Sequence, residues 1–199
     1  MPRIYESTKI RKKQIADAAA RIIIKYGSEH VTTKRIAREV GISETAIYRH
    51  FKSKEELLTF LIDDIGKTLL SEIEPDISAD HYTLEMMENK IFDHIANVVR
   101  RKGISFQVIA EIISLGSKKL NEKAYIVIKG YISRIKNILE QGKKARIIRQ
   151  DIDLDAASSV FFGMTQGFVY TWTLSHYSFD LEEKFHSSWN IFRDSIISK

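Results

Sequence analysis

Pro2 and Pro75 are the only prolines among the 199 residues, so most of the chain lacks the residue that removes a helix amide and clashes with the preceding turn. Long helices are permitted, and the apolar spacing uses that permission. In residues 9–26, KIRKKQIADAAARIIIKY, the residues Ile15, Ala18, Ala19, Ile22, Ile23 and Tyr26 recur at steps of three and four. That spacing predicts an amphipathic helix ended by Gly27. From Lys54 onward the same rhythm continues. It predicts helices over 54–73, closed by Pro75; 81–101, capped by Asp80 and stopped at Gly103; and 104–115, ending at Gly116. Further helices are expected over 118–141, ending at Gly142; 154–174, capped by Asp153; and 181–197, opened by Phe179-Asp180, with 143–152 an exposed basic connection. The expected fold is all-α, about nine helices, with no internal repeat and no low-complexity linker.

Hydrophobic residues make up 44% and charged residues 29%, the balance of an ordinary globular chain rather than a disordered one. With no cysteine, a disulfide scaffold, a thiolate metal site and a cysteine nucleophile are all excluded. No apolar run approaches the roughly 20 residues that cross a bilayer, and the basic N-terminus is not followed by a signal-type apolar stretch. A cytoplasmic protein with no membrane partner is therefore expected. The formal net charge is +5, and its placement matters more than its size. Residues 1–55 hold 13 Lys or Arg against 6 acids, so the whole positive excess lies in the first quarter. A localised excess suits a polyanion partner, although a solubilising surface would also carry it.

Within that basic quarter, Thr32 or Thr33 can cap a helix reaching about Val40, and Gly41 permits an abrupt turn. Ser43 then caps the segment ETAIYRHF. Lys52-Ser53 breaks it, and Ser53 with Glu56 three residues later forms a capping box for the next helix. Two short helices over 33–51, sharing a core of Ile36, Ala37, Ile42 and Ile47, make a helix-turn-helix pattern, whose second helix enters the major groove of DNA. The expected division is a helix-turn-helix head over 1–53 and a larger helical domain over 54–199.

The run TTKRIAREVGISETAIYRHFKSKEELL resembles the DNA-binding domain of the TetR family of transcriptional regulators. The likeness rests on Ile36-Ala37 with Val40-Gly41-Ile42-Ser43, on Ile47-Tyr48-Arg49-His50-Phe51, and on Lys54-Glu55-Glu56-Leu57-Leu58. It extends over about residues 9–60; beyond that, only the number and order of helices match. The resemblance implies a homodimer on a palindromic double-stranded DNA operator, usually repressing transcription, with a small molecule in the larger domain releasing the DNA. It places the helix opened by Ser43 in the major groove, with Glu44, Thr45 and Ala46 nearest the bases. Thr45 can donate or accept, and the Ala46 methyl suits a thymine methyl. Glu44 either accepts from cytosine N4 or caps its helix and faces solvent. Tyr48 and His50 resemble the family's phosphate-contacting pair. Thr33, Lys34 and Lys54 suit phosphate, Arg49 suits phosphate or base, and Arg11, Lys12 and Lys13 suit flanking backbone.

In the segment LDAASSVFFGMTQGFVYTWTL, Gly163 and Gly167 lie four residues apart, on one helical face. Glycine inside a helix costs about 1 kcal/mol relative to alanine, and close helix approach is a reason to carry it. The family resemblance assigns Val160, Gly163, Met164, Gly167 and Phe168, with Phe185, Trp189 and Phe192 of the last helix, to a dimer-forming four-helix bundle; an intrachain core is the other reading. Candidate effector-lining residues are Leu61, Ile65, Met86, Phe106, Ile109, Ile113, Tyr125, Ile128, Phe161 and Trp172. No buried charged cluster is legible, which favours a mostly apolar effector. The six histidines form no HExxH arrangement, Asp93-His94 has only generic metal spacing, and no Walker loop, GxGxxG or GxSxG occurs. Neither an enzyme nor a resident cofactor is expected. The alternatives are a transcriptional activator, or a DNA-associated structural or interaction protein without a small-molecule effector.

Overall fold

A computed structural model describes residues 8–73 and 82–198. Among them the chain forms nine α-helices and no sheet: α1 (Thr8–Tyr26), α2 (Thr33–Val40), α3 (Glu44–Tyr48), α4 (Lys54–Ser71), α5 (Leu84–Arg100), α6 (Ile104–Ser114), α7 (Lys118–Lys144), α8 (Leu154–Leu174) and α9 (Leu181–Ile196). A 3-10 turn, Ser28–His30, follows α1. By packing, the helices divide into two compact units. The first is the described part of Met1–Gly66 with Gln107–Tyr125; the second is the described part of Lys67–Phe106 with Ile126–Lys199.

In the first unit Ile15, Ala18, Ala19, Ile22 and Ile23 of α1 are buried together with Ile36 and Ala37 of α2, Ile47 of α3, and Phe51. Ile42 is only half-buried. Tyr26, counted on the apolar face by its spacing, is exposed instead, and the Arg35 guanidinium lies 4.3 Å from its ring centroid, a cation–π contact. Caps fall where short polar residues permit them. The Thr32 hydroxyl accepts from Arg35 N–H at 3.2 Å, and the Ser43 hydroxyl from Ala46 N–H at 3.2 Å. Gly41 closes α2 in the left-handed region, φ +74°, the conformation that lets α3 depart at an angle. At α4 the Ser53 hydroxyl accepts from Glu56 N–H at 3.1 Å, but the Glu56 carboxylate accepts from Lys52 N–H at 2.7 Å, one residue upstream of the expected capping-box partner.

In the second unit, edge-on aromatic pairs tie α8 to α9: Phe161 stands 5.9 Å from Phe185, 6.3 Å from Trp189 and 6.1 Å from Phe192, between ring centroids. Trp189 also donates its indole N–H to Glu88 of α5 at 2.9 Å. The expected cap at Asp80 and the stop at Pro75 lie outside the described residues. Thr83 caps α5, accepting from Met86 N–H at 3.2 Å. Two expectations need correction. Gly142 does not end α7, which continues to Lys144. A Cβ there would stand 2.9 Å from Ile148 Cδ1, so this glycine makes room for a neighbour. Nor is 143–152 simply an exposed connection. Ile148 and Ile152 are buried, and the segment pairs with the end of α9 through Arg149 N–H to Ile196 O (3.0 Å) and Ser198 N–H to Ile147 O (2.8 Å). An apolar pair with satisfied backbone groups can be drawn inward, whatever the polarity of its flanks.

Candidate nucleic-acid interface and regulatory unit

α3 buries Ile47 and turns its other residues outward. Glu44, Thr45 and Tyr48 are exposed, Tyr48 by 55%, and Arg49 beyond the helix end is exposed too. Ala46 is half-buried. Tyr48 is thus no core residue, because Ile47 and Phe51 supply the apolar contact. His50 is half-buried, its Nδ1 enclosed and unpaired among the described residues. Burial lowers its pKa, and the charges of Arg11, Lys12 and Arg49 push the same way.

The remaining residues of this surface have partners within the unit. The Thr33 hydroxyl donates to Glu44 Oε2 at 2.9 Å. Lys54 Nζ donates to Ser28 O at 2.9 Å, while Ser28 N–H donates to Glu111 Oε2 at 3.2 Å, so the turn after α1 is held at both its polar backbone groups. Lys13 sits between Asp17 (2.7 Å) and Asp64 (2.6 Å), and Lys12 lies 4.9 Å from the Phe51 ring centroid and 3.9 Å from a Glu56 carboxylate oxygen. Lys34 is exposed. Apart from Lys13–Asp17, four residues apart on α1, these partners were not legible in the sequence, because each joins separate segments of the chain.

The residues anticipated as effector-lining divide between the units. In the first, Leu61, Ile65 and Ile109 are buried, whereas Ile113 and Tyr125 are solvent-facing, Tyr125 by 63%. In the second, Phe106, Phe161 and Trp172 are buried and Met86 and Ile128 half-buried. Phe106 lines a cleft of about 10 Å³ with Leu69, Glu72, Val98, Arg101 and Ile104. Beside it lies a polar cluster that the sequence reading missed. His94 Nε2 is 3.0 Å from the Tyr131 hydroxyl, His94 Nδ1 is 3.9 Å from Glu72 Oε2, and Glu72 Oε1 is 3.2 Å from Arg101 Nη2. His94 and Tyr131 are fully buried, as is Thr165, whose hydroxyl neighbours Tyr131 and donates to Phe161 O at 3.0 Å. Burial lowers the His94 pKa to about 4 and raises those of Glu72 and Tyr131, the two Glu72 neighbours Arg101 and Arg100 opposing the rise. Four separate segments supply the cluster, and no local spacing announces it. Among the described residues no group of three or more His, Cys, Asp or Glu is arranged to hold a metal ion.

On α8, Val160, Gly163 and Gly167 are exposed, and a Cβ at either glycine would meet nothing within 4 Å. Tyr170 and Leu174 extend that surface, and Met164 and Phe168 are half-buried along it. Phe185, Trp189 and Phe192 point the other way, into the unit's own core. The outward apolar residue of α9 is Ile191, 77% exposed.

A basic three-helix head whose α3 turns polar side chains outward, on a chain of helices, defines a helix-turn-helix DNA-binding regulator. Residues 15–59 match the model of bacterial regulatory proteins of the tetR family, and residues 63–194 match that of the YsiA-like protein C-terminal region. The chain belongs to the TetR family of transcriptional regulators. It is 26% identical over 168 residues to the fatty acid metabolism regulator protein of Bacillus subtilis, covering 84% of this chain and 86% of that protein. To the nucleoid occlusion factor SlmA of Shewanella pealeana it is 25% identical, covering 94% and 95%. Its fold superposes on the transcriptional regulator FadR of Bacillus subtilis, solved in complex with stearoyl-CoA, with a TM-score of 0.74 and 24% identity, covering 90% of this chain and 96% of that one. No helix among the described residues is long and apolar enough to cross a membrane.

Proposed function

We propose that the chain is a cytoplasmic repressor that binds a palindromic operator as a homodimer and is released by an amphiphilic effector with a long acyl chain. The head, residues 1–53, meets DNA through Ser43, Glu44, Thr45, Ala46 and Tyr48 of the α3 region, with Lys34, Arg49 and His50 on phosphate, joined by Lys54 at the start of α4. Residues 54–199 respond to the effector. The observation that carries the reading is the outward polar face of α3 on a basic head, in a chain with a second helical unit that has its own core. The open α8 surface around Gly163 and Gly167 supports the homodimer, because two helices carrying glycine there can approach closely. The acyl effector is supported by the fatty acid metabolism regulator and by the FadR complex with stearoyl-CoA.

Selection of bound fragments from random duplex DNA at about 0.15 M salt, near physiological, tests this reading. An enriched palindrome is expected, and long-chain acyl-CoA should release it. The likeness to a nucleoid occlusion factor favours a second reading, a DNA-associated protein with no small-molecule effector. Under that reading the palindrome is enriched but stearoyl-CoA, palmitoyl-CoA and free fatty acids leave the complex intact. Binding that enriches no sequence and vanishes as salt rises overturns both.

A further inference from the structure

An acid at the DNA-facing start of α3 stands against the electrostatics of its surroundings. Between Thr33 and Lys54 the chain carries six cations, Lys34, Arg35, Arg38, Arg49, Lys52 and Lys54, and two acids, Glu39 and Glu44. Glu39 is paired with Arg21 at 3.0 Å. Glu44 is held by a hydroxyl instead, that of Thr33 at 2.9 Å, and its carboxylate is exposed. Near phosphates such a charge is repelled, so it weakens binding unless a donor on the DNA meets it. Capping does not account for it, because the Ser43 hydroxyl already accepts the Ala46 N–H of α3.

We propose that Glu44 reads an exocyclic amino group in the major groove, cytosine N4, and that Thr33 is its positioning residue. A carboxylate is acceptor-only, with two oxygens and about four lone-pair sites. Thr33 occupies one of those sites and leaves the rest to accept from DNA. In the same place a thymine presents its O4 acceptor, which faces the carboxylate with no hydrogen between them. The hydroxyl also fixes the side chain before DNA arrives, so less rotamer freedom is lost on binding. Thr33, expected from sequence to meet phosphate, thereby acts through Glu44.

The inference rests on α3 reading the operator, and the test separates the two. The full-length chain and its Glu44→Gln, Thr33→Val and Thr33→Ser variants are each put through selection on random duplex DNA, followed by titration of single-site operator variants. The wild type should require cytosine at one position of each half-site, with substitution by thymine costing about tenfold to a hundredfold in affinity. Glu44→Gln, whose amide also donates, should accept thymine there and leave every other position unchanged. Thr33→Val should relax the same position, and Thr33→Ser should restore it. If Glu44→Gln changes affinity for all sequences by one common factor, the carboxylate reads no base and the inference fails while operator reading stands. If Thr33→Val acts equally at every position, Thr33 is a phosphate or packing residue and its assignment fails. A wild type that enriches no sequence removes operator reading by α3 and this inference with it.

Discussion

His94 offers a direct test of how the second unit tolerates buried polarity. The ring is enclosed, with Tyr131 on Nε2 and the Glu72 carboxylate 3.9 Å from Nδ1, and burial takes its pKa from 6.5 to about 4. A base whose folded pKa is depressed stays neutral in the fold while the unfolded chain takes up a proton. Its stability contribution is therefore complete above about pH 6.5 and is lost as pH falls, down to about pH 4. The full difference corresponds to about 3 kcal/mol, of which about 2 kcal/mol should be lost between pH 7 and pH 5. Glu72 acts in the opposite sense: burial raises its pKa, so the fold gains from protonating it as pH falls. Comparison with a variant that keeps Glu72 removes that contribution. His94→Gln preserves a neutral polar group opposite Tyr131 and does not titrate. Urea unfolding followed by far-ultraviolet circular dichroism should show the wild type losing about 2 kcal/mol more than His94→Gln between pH 7 and pH 5. Equal losses in the two proteins would refute the reasoning, since the ring would then titrate alike in both states.

Three further outcomes are expected. Gly41→Ala should destabilise the head by about 1–2 kcal/mol in thermal melts through its positive φ alone, because the new methyl meets nothing within 4 Å; no loss would show that the turn relaxes. Ile47→Ala, which empties a fully buried position under α3, should cost about 2–5 kcal/mol and abolish DNA binding before overall helicity is lost. Val160→Asp lies on the open α8 face, so analytical ultracentrifugation should show monomers while circular dichroism shows an intact fold; unaltered dimers would place the interface elsewhere.

The head was legible in the sequence because its signals are local. Ser43 and Thr32 cap within three residues, Gly41 marks the turn, and the burial of Ile36, Ala37 and Ile47 follows from spacing on helices of eight and five residues. The regulatory unit was legible in its helices and not in its chemistry. Glu72, His94, Arg101, Tyr131 and Thr165 meet only after the chain has folded, so a sequence in which no buried charged cluster is legible conceals a polar one around His94 and Tyr131. Phe185, Trp189 and Phe192 show the same limit from the other side: amphipathic spacing identifies the face that is buried but not whether the chain itself or a second copy covers it. Gly142 carries a further lesson, since a glycine between helical residues marks a stop or a close approach, and only the position of Ile148 decides which.

The ion pairs of α1 bear on how binding should respond to ionic strength. Affinity for duplex DNA falls with salt because ions condensed on the phosphates are set free, with a logarithmic slope of about −0.9 for each phosphate neutralised. An ammonium already shared between Asp17 and Asp64, as that of Lys13 is, or a guanidinium engaged with Glu39, as that of Arg21 is, displaces no such ion. The measured slope should thus count only the cations left facing the duplex, and fall short of what 13 basic residues in the first 55 would imply.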